Sequence, residues 1–107
     1  MEIQFNNPYY SNITKCNYLQ RYIIIHSIIY YILDTNVVSD KQYDRVCKQL
    51  LNLSKVTENY DKTEYYSVFK DFTGVTGFDL YYKLNKQQQE YLLNIAKYIV
   101  KQYNKGK

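Results

Sequence analysis

The chain has no tryptophan, one methionine, one histidine, one proline and three glycines among its 107 residues. Its two cysteines, Cys16 and Cys47, fall in different expected helices without C-x-x-C spacing, which argues against both a zinc site and a disulfide framework and leaves reduced thiols. No P-loop, H-E-x-x-H or G-x-S-x-G string occurs, so phosphate cradling, metalloprotease and esterase chemistry lack support. The opening MEIQFNNPYY carries an acid and amides where an export signal needs basic and then apolar residues, which points to a cytoplasmic protein. The longest apolar run, Tyr22 to Leu33, is broken by His26 and Ser27 and falls short of the roughly 20 residues a membrane span requires. Internal repeats, linkers and low-complexity segments are also missing, so residues 1–107 read as one domain large enough to bury a modest core.

What is abundant is tyrosine, with 15 copies, beside many isoleucines, asparagines and lysines; that bias reads as a coding preference rather than a function. The net charge of +4 is too small to argue for tight nucleic-acid binding unless the basic residues gather on one surface. Lys41, Arg45, Lys48 and Lys55 do share one helix face, but Asn52 and neighbouring acids dilute it, and a solvated face is the plainer reading.

Three helices are expected. After an irregular lead-in ending at Pro8, Ser11 or Asn12 offers a cap for a helix from about Ile13 to Leu33. Its apolar residues cover most of the circumference, which makes it the most buried element; a strand reading of Tyr22-Ile23-Ile24-Ile25 competes, but length favours the helix. The linker Asp34 to Val38 is short enough to be a tight turn, so residues 13–54 form a helical hairpin. Ser39, with Gln42 three residues on, fits a capping box and starts a second helix at Asp40, running to about Leu53. A third helix, from about Lys86 to Tyr103, starts from the same logic at Asn85 and Gln88. It carries a stripe of Leu92, Ile95, Ala96, Ile99 and Tyr103 that packs across the hairpin. Between them, residues 56–71 read either as loop with a short helix or as an extended stretch at Tyr65 to Phe69; Gly74 and Gly77 mark turns, and Asp79 to Leu84 one or two helical turns.

The chemistry concentrates in Ser39 to Asp44. At roughly 100° per residue, Asp40, Tyr43, Asp44 and Cys47 fall on one flank of the second helix, beside the apolar positions Val46, Leu50, Leu51 and Leu53. The hairpin brings His26, Tyr30 and Tyr31 within reach of that flank. Bland readings stand beside each: Asp40 complements the helix dipole, Tyr43 packs in the core, and His26 is a structural histidine satisfied by a backbone carbonyl.

The string from His26 through Tyr30, Tyr31 and Asp34, a short loop, then SDKQYDRVCKQL, resembles the N-terminal Ia domain of bacterial NAD-dependent DNA ligases, without a gap from His26 to about Leu53. The resemblance implies a mostly α fold, a helical hairpin plus a C-terminal helix. It also implies that Tyr30, Asp40, Tyr43 and Asp44 hold the nicotinamide mononucleotide (NMN) half of NAD; the position of Tyr31 alternates between His and Tyr in the family and weighs less. Oxidised nicotinamide is a cation with a π face, suited to tyrosine rings and carboxylates. In ligases the chain continues past this domain toward a nucleotidyltransferase domain, and the nucleotide is held between the two. That reaction needs a lysine in a K-x-D-G context; the nearest string here, Lys70-Asp71-Phe72-Thr73-Gly74, has Phe where the Asp belongs, so the chain is expected not to be an enzyme. Two functions from different classes follow. One is a free-standing ligase Ia-like module that binds NMN or NAD weakly. The other is an interaction protein, such as a viral or mobile-element factor in the host cytoplasm, that binds and modulates a host replication, repair or defence protein.

Overall fold

The computed structural model describes residues 2–74 and 77–106. Among them, the chain forms α1 (Asn12–Tyr31), α2 (Asp40–Val56), a 3-10 turn (Tyr60–Lys62), two single-turn helices α3 (Tyr66–Phe69) and α4 (Leu80–Lys83), and α5 (Lys86–Lys105), with no strand. Of the paired turn signals at Gly74 and Gly77, the intervening Val75 and Thr76 lie outside the described residues.

Helix α1 is the axis of the molecule. It begins where the Ser11 hydroxyl accepts from the Thr14 N–H at 3.1 Å. Cys16, Leu19, Ile23, Ile24, Ile28 and Ile29 are all buried, because α2, α4 and α5 pack around it on different sides. A helix with neighbours on several sides has no use for a single apolar stripe, and its sequence shows none. The helix stops at Tyr31, two residues short of Leu33. The Leu33 and Thr35 N–H groups turn back to the carbonyls of Ile28 and Ile29 at 3.0 and 3.1 Å, and Asp34 takes a left-handed φ of 52° that ends the helical path.

Helix α2 starts at the Ser39 cap, whose hydroxyl accepts from the Gln42 N–H at 3.1 Å. Only this half of the expected box forms, since the Gln42 side chain turns to the hydroxyl of Tyr22. Val46, Cys47 and Leu50 face α1. The helix continues to Val56, three residues beyond the expected Leu53, and ends at Thr57, whose hydroxyl donates to the Leu53 carbonyl at 2.6 Å and lies 3.6 Å from the Cys16 thiol. The lead-in is tied to α2 through Ile3, whose backbone N–H and C=O both bond the Gln49 side chain at 2.9 Å.

The segment between the long helices is fastened by Gln20, a fully buried amide on α1. Its Nε2 donates to the Thr63 hydroxyl at 2.9 Å and its Oε1 accepts from the Tyr65 N–H at 3.1 Å, while Asn17 accepts from the Glu64 N–H at 2.8 Å. These bonds resolve residues 56–71 into a 3-10 turn and a single helical turn. Helix α5 has the complete Asn85–Gln88 box, with bonds of 2.8 and 3.0 Å, and buries Leu92 and Ala96 against α1. Ile95 and Ile99 are half-buried and Tyr103 is exposed, so the stripe fades toward the end of the helix.

Candidate functional site

At the closed end of the hairpin, α1 contributes His26, Ser27, Tyr30 and Tyr31, the connecting turn contributes Asn36, Val37 and Val38, and α2 contributes Asp40, Tyr43 and Asp44 to one cavity of about 280 Å³. All five expected site residues line it. The volume falls just below the roughly 300–1,000 Å³ typical of ligand sites.

The two acids come from the first turns of α2, four residues apart on one face. Among the described residues neither Asp40 nor Asp44 is ion-paired or hydrogen-bonded through its side chain, and both are exposed. The Tyr30 and Tyr31 rings meet edge to face at 4.9 Å and 82°, and each keeps a substantial open surface. Tyr43 is more deeply set. Its hydroxyl is buried without a hydrogen-bond partner among the described residues; the Cys47 thiol lies beside it, but without the geometry of a hydrogen bond. Burial pushes the Tyr43 phenol well above its ordinary range, with Cys47 adding to the effect. The Cys47 thiol is itself pushed up to about 12 by burial.

His26 departs from expectation. Its ring rests on Tyr22 at 4.3 Å, but the buried Nδ1 has no hydrogen-bond partner among the described residues, where a bond to a backbone carbonyl was expected. Burial lowers its pKa to about 4, so the ring is neutral at physiological pH.

Four residues escaped the sequence reading. Val37 and Val38 were seen only as turn residues, although two consecutive β-branched residues in a short turn are a signal that it folds inward. Ser27, whose hydroxyl donates to the Ile24 carbonyl at 2.7 Å, gives the small side chain that leaves the cavity open. Gly77 packs from a distant part of the chain against Ser27 and the Tyr43 hydroxyl, and nothing local to Gly77 announces that contact. Among the described residues no group of acids, histidines and cysteines is arranged to hold a metal ion, and no helix is long and apolar enough to cross a membrane.

The described residues thus form a wholly helical fold in which the turn end of a hairpin gathers three tyrosines and two carboxylates around a cavity. The sequence model of the DNA ligase-like, N-terminal NAD+-binding domain matches residues 10–66, more than half of the chain, and the protein belongs to that family. The matched span contains α1, α2 and all five site residues, and it ends as α3 begins, so α4 and α5 lie outside it. Neither the curated proteins nor the solved structures yielded a match.

Proposed function

We propose that this chain binds the nicotinamide mononucleotide half of NAD+ in the hairpin cavity and carries out no nucleotidyl transfer itself. One observation supports the reading above the others: Asp40 and Asp44, unpaired among the described residues, share a cavity with the rings of Tyr30, Tyr31 and Tyr43. Like-charged acids four residues apart on a helix repel each other, a cost that the dipole at the start of α2 offsets for Asp40 only in part, whereas a pyridinium between them relieves it and meets ring faces as well. The carboxylates also accept hydrogen bonds from ribose hydroxyls. The family's NAD+-binding description agrees with this chemistry.

The non-catalytic part of the proposal rests on the nucleophile. Among the described residues no lysine lines the cavity, and the K-x-D-G context is missing from the sequence. Incubation with labelled NAD+ is therefore expected to leave no protein–AMP adduct; an adduct on any lysine overturns this half.

Binding is tested by calorimetry and thermal shift with NMN, with AMP as the control. Tyr30, Asp40 and Asp44 at the cavity are exposed, so the contacts stay partly solvated and the dissociation constant is expected to be no better than high micromolar, about 5 kcal/mol. Millimolar NMN should raise the melting temperature slightly by binding the native state, and AMP should not. Tyr43→Ala or Asp44→Asn should abolish the shift. If saturating NMN gives neither heat nor shift, the reading fails, and an arginine-bearing protein partner becomes the next ligand to try on the same acids and rings.

A further inference from the structure

The residues after the family match reach one of the cavity's rings. Helix α4 buries Leu80, with Leu84 just beyond it, against the core, while Tyr82 on the helix and Phe78 in the turn just before it are 63% and 59% exposed. These rings are not scattered. Phe78 stands edge to face on Tyr31 at 5.4 Å and 89°, and Tyr31 does the same on Tyr30; Phe78 continues to Tyr82 at 6.3 Å. A train of ring contacts therefore runs out of the cavity wall and along α4. Single exposed aromatics need no explanation, but a contiguous exposed row joined to a cavity marks a binding surface.

We infer that Phe78 and Tyr82 form a stacking shelf for the purine of a dinucleotide whose nicotinamide half occupies the cavity. The inference rests on the nicotinamide reading above. Three observations favour this occupant. The shelf begins on Tyr31, a ring of the cavity itself, so a ligand seated there holds its other half at high effective concentration beside Phe78. Phe78 and Tyr82 are both more than half exposed, and an uncharged purine stacks on exposed ring surface whatever its hydrogen-bonding edge. Asp79, the one acid between Gly77 and Leu84, is paired with Lys83 at 3.3 Å, so a pyrophosphate crossing this edge meets an ion pair rather than a bare carboxylate.

The test is calorimetric titration of the whole chain with NMN and with NAD+, for the native protein and for Phe78→Ala, Phe78→Leu and Phe78→Tyr. Stacking of one base is worth about a factor of ten in affinity, so NAD+ should bind about tenfold tighter than NMN to the native protein. Phe78→Ala and Phe78→Leu should bring NAD+ down to the NMN level and leave NMN unchanged, whereas Phe78→Tyr should retain the preference. Tyr82→Ala should give a smaller loss. Melting temperatures of all variants check that they fold. If NMN binds and NAD+ binds no tighter, or if Phe78→Ala weakens both ligands equally, the shelf is overturned while the cavity reading stands; if NMN does not bind at all, both fall.

Discussion

The Tyr43 hydroxyl stands so close to Gly77 that any side chain there would collide with it, with Ser27 and Leu80 closing the other sides. Glycine is required at this position by space, since its backbone is not left-handed. Gly77→Ala must push Tyr43 off its seat, at an expected cost of about 1–3 kcal/mol for overpacking. Tyr43→Phe removes the clashing atom along with a buried hydroxyl that has no hydrogen-bond partner among the described residues, so alone it should be neutral or slightly stabilising. Combined with Gly77→Ala it should recover much of the loss. Urea unfolding of the two single variants and the pair measures this coupling, and strict additivity would show that the contact carries no strain.

His26 makes stability depend on pH. Its folded pKa of about 4 lies below the ordinary 6.5, so between those values the unfolded chain binds more protons than the folded one. Stability should therefore rise as pH climbs from about 4 to 6.5 and level off above, with a full span of roughly 3 kcal/mol. Because this is the chain's one histidine, the slope between pH 5 and 7 belongs to it. His26→Leu should flatten the unfolding free energy over that range, and an unchanged slope would assign it elsewhere.

Cys16 and Cys47 are buried, and burial raises both thiol pKa values, Cys47 to about 12. The reactive thiolate is thus suppressed twice, by access and by ionisation. A disulfide-exchange reagent at neutral pH should leave both unmodified in the native protein and titrate two thiols in denaturant. Rapid native labelling would mean that the hairpin opens locally.

The parts of this fold that could be read in advance are those written locally. The Ser39 and Asn85 caps, the all-round apolar surface of α1, and the spacing that puts Asp40, Tyr43 and Asp44 on one flank depend on neighbours three or four residues away, and each is found in place. Gln20 could not be read that way. Its partners Thr63 and Tyr65 lie more than 40 residues along the chain, so an amide in an isoleucine-rich helix gives no hint that it organises a distant loop. The same holds for Gly77, whose turn signal is local but whose contact with Tyr43 is not. His26 failed for a different reason: satisfaction of a buried nitrogen is a strong general rule, and Nδ1 breaks it beside the cavity, where exceptions gather.

The charge of the ligand is the sharpest test of the cavity. Oxidised NMN carries a pyridinium, and its reduced form has a ring of nearly the same shape with no charge. If Asp40 and Asp44 act on the ring through charge, with the tyrosine faces adding a cation–π term, reduction of the ligand should weaken binding by about fivefold or more. The two carboxylates are exposed, so the advantage should shrink as salt screens them. Asp44→Asn should narrow the gap between the two ligands by weakening the oxidised form while sparing the reduced one. Tyr43→Ala should weaken both, because it removes a wall that packs against either ring. Competition of reduced against oxidised NMN at low and moderate salt, read by thermal shift, separates these contributions. Equal affinity for the two forms would mean that shape alone selects the ligand and that the two acids serve only the start of α2.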